Sequence, residues 1–404
     1  MSDQPWLTLI GIGEDGLGGL SAAARELIGA ASLVVGGRRH LALAAPLIGG
    51  EMLAWPSPME AALPQLMAHR PRPAVVLASG DPFWFGVGTM LSSLVPEGGM
   101  RCLPAPSSFS LAAACLGWSL QDIAALSVCG RPVEALRPHL HPGGRLLVLC
   151  ADRRSPAIVA ALLCRHGFGA SRLHLLEALG GPAERRRACR ADGDIPDDIG
   201  RLVLLGIEVR ADGSFMSLPL GGALPDDRFD HDGQITKQEI RAATLAALEP
   251  RPGALLWDIG AGSGSVGIEW MLRHPSCRAV AVERDPIRAD RIARNALELG
   301  VPALEVRRGE APEILASLPP PDAVFVGGGA TVSGMMEAAW SALPRGGRLV
   351  ANGVTVETEA VLLDAHRRFG GRLVRLSVDR LNRVGGLHAF RPSLPVTQWG
   401  ACKP

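Results

Sequence analysis

Short apolar runs alternate with stretches of helical period along most of the chain. From the start to about Val209 the order is WLTLIGIG, ARELIGAASLVVGG, PAVVLASG, SLAAACLGW, GRLLVLC and RLVLLGIEV. Apolar runs bounded by glycine or proline predict buried strands, and the periodic stretches between them predict helices. Alternation of this kind predicts an α/β layer fold. A second series begins at Gly253 with ALLWDIGAG, a helix over 266–273, CRAVAVERD, a helix over 286–299, ALEVRRG, DAVFVGGG and GRLVANGV. Between the two series, ADGSFMSLPLGGALPDDRFDHDGQ carries turn formers and charge but no sustained period. The predicted organisation is therefore a domain over 1–212, a linker over 213–227 and a second domain over 228–404. No internal repeat is visible, and the two halves carry different glycine motifs.

Composition supports two cores. A chain of 404 residues that is 47% hydrophobic exceeds what one ordinary core organises. No stretch approaches the ~20 apolar residues of a membrane span, and the opening MSDQPWLTLIGIG has an acid where a signal peptide carries basic residues. The expectation is a cytoplasmic protein with no membrane partner. Eight cysteines include no Cys-x-x-Cys pair and no histidine at ligand spacing, so neither a disulfide framework nor a metal site is expected. They read as small buried hydrophobes. A formal net charge of +1 gives no field to attract a polyanion, which argues against nucleic acid as partner. Lys237 and Lys403 are the only lysines and tyrosine is absent. Compositional bias explains this as well as a need for guanidinium forks toward a carboxylate-rich substrate, and the choice stays open here, as does homo-oligomer formation.

In the second half, ALLWDIGAGSGSVGIEW runs from Asp258 through Gly260, Ala261, Gly262, Ser263 and Gly264 into a helix. Strand, glycine turn and helix form a nucleotide-cradling unit in which glycine lets a ligand lie against backbone. The next apolar run ends in Glu283, at the offset where an acid meets ribose hydroxyls. These residues resemble the Rossmann-like S-adenosylmethionine methyltransferases, whose acid followed by G-x-G-x-G is reproduced here. A nicotinamide site would more often read G-x-G-x-x-G. The resemblance implies that Glu283 holds the ribose and that Glu310 and Ala311 line the adenine. It also implies that Asp322 closes the strand reaching the reaction centre. Where amino-methylating relatives carry an Asn/Asp-Pro-Pro-aromatic motif, this chain has glycine at 327–329. With GQITKQEIR, GEAP and GGRLVANGV, the half looks like the decarboxylating precorrin methyltransferases of cobalamin biosynthesis. That likeness brings Thr236 to the cofactor. Thr236 with Glu239 also has capping-box spacing.

In the first half, GIGEDGLGGLS, ASGDPFWFGVGTML and LPAPSSFSLAAA resemble, in order, the motifs of the tetrapyrrole methylase family. The resemblance implies two α/β lobes around a cofactor cleft, with Ser79, Gly80, Asp81 and Trp84 on the cofactor and Ser107, Ser108, Cys150 and Gly206 around it. Asp81 before proline is also an ordinary turn initiator. Many members have Gly-x-Gly-Pro-Gly at the first turn, whereas here Glu14 and Asp15 follow Gly13. Those acids serve equally as a solvated loop, or as a lining offset by Arg38 and Arg39. In RLSVDRLNRVGGLHAFRP, a late hairpin region, Arg380, Asn382 and Arg383 are candidate substrate contacts, since arginine forks match carboxylates. His388 nearby reads as structural.

Together the resemblances imply a tetrapyrrole C-methyltransferase that uses S-adenosylmethionine twice. They imply methylation of carbon 5 by the first domain, and methylation of carbon 15 with loss of the ring C acetate carboxyl by the second. The rivals are a methylase of the sirohaem branch and a one-site enzyme with a non-catalytic first domain. The electron-rich ring supplies the nucleophile, so no catalytic triad is expected.

Overall fold

The computed structural model describes residues 5–213 and 215–404. Asp3, on which the signal-peptide argument rests, and Ser214 in the linker lie outside the described residues. Two compact units result: residues 1–133 with 141–216, and 217–404 with 134–140. The division at 216 falls inside the expected linker. That residues 134–140 group with the second unit has no counterpart in the sequence pattern.

The first unit contains two five-stranded sheets. One has strands β1 (Leu7–Ile12), β2 (Leu33–Gly36), β3 (Glu51–Ala54), β4 (Ala74–Ser79) and β5 (Met100–Leu103) in the order β3-β2-β4-β1-β5, all parallel. The other has β6 (Ala124–Ser127), β7 (Arg145–Leu149), β8 (Arg172–Glu177), β9 (Arg185–Arg190) and β10 (Val203–Glu208) in the order β6-β7-β10-β8-β9 and is mostly antiparallel. All six residues of β1 are buried, as a central parallel strand covered on both faces requires. The helix Ser108–Leu116 starts where the Ser107 hydroxyl accepts from the Ser110 N–H at 3.1 Å, an N-cap legible in PSSFS.

The second unit is built on a seven-stranded sheet. It adds β11 (Leu255–Ile259), β12 (Arg278–Glu283), β13 (Glu305–Arg308), β14 (Ala323–Val326), β15 (Arg348–Gly353), β16 (Arg372–Leu376), the hairpin β17 (Asp379–Val384) with β18 (Leu387–Pro392), and β19 (Val396–Cys402). The sheet order is β13-β12-β11-β14-β15-β19-β16, with β19 antiparallel to both neighbours. Strand order reverses between the parallel neighbours β11 and β14, the switch point where doubly wound sheets place ligands. The antiparallel β19 inserted before the edge departs from the all-parallel six-strand dinucleotide order. Core residues lie on both faces, with Leu256, Ile268 and Ile292 on one and Trp257, Val324 and Trp399 on the other.

Two expectations change at this level. Only Cys277 is buried, whereas Cys129, Cys164 and Cys402 are exposed, so the cysteines are not uniformly core residues; all eight are free thiols. Asp322 stands before β14, accepting from the Leu255 N–H at 2.8 Å at the start of β11. It therefore lies at the opposite end of the sheet from the glycine turn and closes nothing near a reaction centre. Among the described residues no helix is long and apolar enough to cross a membrane.

Candidate active sites

In the second unit the glycine turn is a backbone device. Gly260, Gly262 and Gly264 have φ of +68°, +59° and +75°, the left-handed region that L side chains rarely adopt. A side chain at Gly260 would strike the Gly328 backbone, and one at Gly262 would lie 3.0 Å from the Gln234 carbonyl. This corrects the expectation that Gly262 is needed chiefly for ligand approach: its Cβ direction is filled by the protein itself. The glycines at 327–329 follow the same logic, because Gly327 donates to the Ile259 carbonyl at 2.9 Å beside Gly260.

Two buried carboxylates hold this turn. Glu283 Oε2 accepts from the Gly262 N–H at 2.9 Å, and its Oε1 from the Asp285 N–H at 3.1 Å. Asp258 Oδ2 accepts from the Gly267 N–H at 2.9 Å, in the first turn of the helix Ser265–Leu272. Its Oδ1 is buried with no partner, as is the hydroxyl of Ser263. Burial pushes the Asp258 carboxyl up to about 7, with the Gly267 N–H opposing and Glu283 reinforcing. Unpaired buried polar atoms are rare and costly, and here two of them belong to one glycine turn at a sheet switch point. Such a cradle fits a ligand that brings its own donors. Glu310 follows β13 and is exposed, and Ala311 is half-buried against the core.

The segment GQITKQEIR is fixed by a residue that sequence reasoning passed over. Arg241 is fully buried and donates from Nε to Glu269 Oε1 at 2.6 Å; it also reaches the carbonyls of Thr236 and Leu224. Glu269 in turn accepts from the Ala223 and Leu224 N–H groups at 2.6 and 2.8 Å. Arg241, Leu245 and Leu248 share one face of the helix Gln238–Leu248, a pattern that marks Arg241 as inward-facing. The capping box is not formed: Lys237 is the N-cap, no side chain caps the helix, and Glu239 pairs with Arg380. Arg380 also donates to the Ser393 hydroxyl at 3.4 Å, and Asn382 donates to the Arg380 carbonyl at 3.0 Å. Arg383 stands opposite His388 on an exposed hairpin, away from any buried site. The structure thus ties Arg380 to the helix that follows Thr236 and leaves Arg383 exposed on the hairpin.

In the first unit a cavity of about 350 Å³ is lined by Asp81, Trp84, Pro106, Ser107 and Phe109 among others. This is ample for part of a small ligand. Gly80 has φ +53°, and a side chain there would meet Ser107 Cα at 2.8 Å, so the two motifs lie directly against each other. Asp81 lines the cavity and also accepts from the Phe83 N–H at 2.8 Å, serving as turn initiator and lining at once. Trp84 is 50% exposed and meets Phe109 edge-on at 6.0 Å. Ser108 opens the helix that Ser107 caps. Cys150, just past β7, is half-buried, and its thiol is pushed up to about 12, by desolvation first. Gly206 sits in mid-strand, where a Cβ would meet Leu116 at 2.6 Å; its smallness serves packing rather than the cavity. Neither Cys150 nor Gly206 is among the cavity-lining residues.

At the end of β4, just before Gly80 and Asp81, Arg39 meets Ser79 and also pairs with Glu14, which answers how an acid is tolerated there. Arg39 also donates to the Ser79 hydroxyl at 2.9 Å and to His40 Nε2 at 2.9 Å, and that nitrogen lies 2.9 Å from Ser79 Oγ. His40 was invisible in the sequence because residues 14, 40 and 79 meet only when β1, β2 and β4 align.

The folds and cradles define a class: two α/β methyltransferase domains of different build in one chain. A family model for tetrapyrrole (corrin/porphyrin) methylases matches residues 7–192, and one for the precorrin methyltransferase domain matches 227–403. The chain is 54% identical over 400 residues to a precorrin-6Y C(5,15)-methyltransferase [decarboxylating] from Sinorhizobium sp, covering 99% of this chain and 97% of that one. It is 42% identical over 403 residues to the protein of that name from Mycobacterium tuberculosis (strain ATCC 25618 / H37Rv), covering 98% and 100%. A solved C-terminal domain of precorrin-6Y C5,15-methyltransferase from Rhodobacter capsulatus is 42% identical, covers 46% of this chain and all of that one, and gives a TM-score of 0.44. The chain belongs to the family of decarboxylating precorrin-6Y C(5,15)-methyltransferases.

Proposed function

We propose that this methyltransferase of cobalamin biosynthesis uses S-adenosylmethionine in both units on one tetrapyrrole. The first unit methylates carbon 5, and the second methylates carbon 15 as the ring C acetate loses carbon dioxide. The observation that carries a two-site reading is that each unit has its own cradle, one around the unpaired Asp258 and Ser263 atoms, the other around the cavity of Asp81 and Ser107. Bound S-adenosylmethionine supplies an electrophilic methyl group. In the second unit Asp258, Ser263 and the glycine turn would hold it, with Glu283 keeping the turn in shape. In the first, Gly80, Asp81, Trp84 and Ser107 would do so.

Neither site needs to generate a nucleophile, because the conjugated ring provides one. The side chains orient the partners and exclude water, which in favourable cases is worth ~7 kcal/mol or more. A sirohaem-type activity would leave the second unit without a task. Calorimetric titration of the full chain with S-adenosylhomocysteine tests the reading: two sites per chain are expected. A single site would reduce the first unit to a scaffold and overturn it.

A further inference from the structure

The two proposed reactions differ in what must leave the ring. In the second unit's reaction the bond between the ring C acetate methylene and its carboxylate breaks and carbon dioxide departs; the pair left on the methylene moves into the conjugated ring, and the pair this displaces onto carbon 15 forms the new bond to methyl. Charge balances without any proton transfer. At carbon 5 the ring's π pair forms the bond to methyl while the carbon–sulfur pair stays on sulfur, so the ring gains one positive charge. Conjugation returns when the carbon 5 C–H bond breaks, its electron pair goes back to the ring, and a base receives the proton. The first unit therefore requires a proton acceptor that the second does not.

We propose that Ser79 and His40 are that acceptor, the Ser79 hydroxyl facing the ring and passing its own proton to His40 Nε2 as it takes the one from carbon 5. The inference rests on the assignment of carbon 5 to the first unit. Ser79 ends β4 immediately before Gly80 and Asp81, at the strand ends where such sheets hold ligands, and it is exposed. His40 stands behind it on the helix Arg38–Ala44, with Nε2 at 2.9 Å from Ser79 Oγ.

Hydrogen-bond direction sets the tautomer. A guanidinium only donates, so Arg39, at 2.9 Å from both Nε2 and Oγ, fixes Nε2 as the unprotonated nitrogen; the Ser79 hydroxyl shares that nitrogen's one lone pair with Arg39, and a proton that moves to Nε2 displaces the Arg39 contact, leaving that cation its pairing with Glu14. Serine beside an unprotonated imidazole nitrogen is the arrangement of a hydroxyl coupled to a base.

The charged groups around the imidazole are Arg39 on its own helix and, beyond Arg39, Glu14 from the loop after β1. From β4 comes the Leu77 carbonyl. Burial, then the Arg39 cation, lowers the imidazole to about 4, with Leu77 opposing. The ring is therefore neutral above about pH 5. Glu14 offsets the cation next to it, so the extra charge that arrives with the proton is not the second unpaired one at the site.

His40→Asn and Ser79→Ala, singly and together, test this in the full chain. Carbon 5 methyl, carbon 15 methyl and carbon dioxide are measured separately by mass spectrometry and NMR of the tetrapyrrole from isotopically labelled S-adenosylmethionine. Each single variant is expected to lose roughly 10²- to 10⁴-fold in the carbon 5 turnover number, with both carbon 15 outputs unchanged and, for His40→Asn, an unchanged KM for S-adenosylmethionine. The double variant should be no slower than the singles, as for residues acting as a unit. Wild-type carbon 5 turnover should stay flat from about pH 5 to 8, whereas His40→Asn should regain rate as pH rises and solvent takes the proton. Wild-type carbon 5 turnover in His40→Asn, or an equal loss at every pH accompanied by a raised KM, would overturn the proposal. A variant that loses the carbon 15 outputs and keeps carbon 5 would instead overturn the assignment of the two reactions to the two units.

Discussion

At Gly260, Gly262 and Gly264 the chain turns inside the protein, and the atoms that hold the turn come from two carboxylates that are 1% and 5% exposed. At Gly80 and Asp81 it turns at a surface, beside a tryptophan half open to solvent and a serine whose hydroxyl is shared by an arginine and a histidine. Both turns need glycine for a steric reason, since neighbouring backbone crowds the Cβ position at Gly260, Gly262 and Gly80 and the Ile292 side chain does so at Gly264. What differs is the polar surround. The second unit surrounds its turn with buried carboxyl groups. The first surrounds its own with an exposed serine hydroxyl beside an arginine and a histidine. On the proposed assignment of the two reactions, the first surround suits the step that sheds a proton and the second the step that does not.

The sharpest way to break this comparison is to remove the buried pair beneath the second site. Glu269→Ala removes the buried partner of Arg241 Nε and leaves the Ala223 and Leu224 N–H groups unmet, with Asp226 as the remaining carboxylate on Arg241, at a cost of about 3–5 kcal/mol. For a unit of this size that lowers its melting temperature by on the order of 10 °C. Differential scanning calorimetry should show the second unit's transition move and the first unit's stay. Movement of both transitions together would show that the units are not thermodynamically separate.

The pH dependence of Asp258 comes next. The carboxyl ionises near 3.8 when unperturbed and near 7 in the folded unit, so between those values the folded state binds more protons than the unfolded one. Stability therefore falls as pH rises from about 4 to 7 and levels off above. Asp258→Asn removes that slope while leaving an oxygen to accept from Gly267. The variant should gain on wild type by about 1 kcal/mol per pH unit across the window, followed by urea melts from pH 4 to 8. Parallel curves would remove the buried character claimed for this site.

Glu283→Ala gives the smallest of these effects. Sequence pattern alone assigns this acid to ribose, with no consequence for the ligand-free fold. Because its oxygens already accept from the Gly262 and Asp285 N–H groups, the substitution should cost ~1.5–3 kcal/mol of stability as well as weaken S-adenosylhomocysteine binding at that site. Unchanged melting with weakened binding would return Glu283 to a purely ligand-facing role.

The fold was largely readable because its signals are local. Strand, glycine turn and helix at 255–272 follow from three positive φ values that only glycine meets cheaply, and the caps at Ser107 and Asp285 follow from short polar side chains at helix entries. Site roles were less so, because an acid at a strand end looks the same whether its partner is ribose or backbone. Asp322 could have been placed correctly, since it precedes the run AVFV and so must start its strand. Thr236 and Glu239 met the spacing of a capping box, but Arg241 and Arg380 took the carbonyl and the carboxylate instead. The cluster of Glu14, Arg39, His40 and Ser79 is assembled from three strand ends and is visible only in three dimensions.

One optical consequence follows from the half-exposed Trp84. The chain contains no tyrosine, so its near-ultraviolet emission comes from tryptophan alone. Trp257, Trp270 and Trp399 are sealed in the second unit's core, and Trp340 packs against it, a set that emits blue and changes little while the unit stays folded. Trp84, beside the first unit's cavity, is the tryptophan among the described residues with a large open face, so its light is red-shifted and open to quenchers. The molecule thus carries a built-in lamp on one of its two sites: filling the first dims or shifts the red edge of the spectrum, and filling the second leaves that edge dark to the observer.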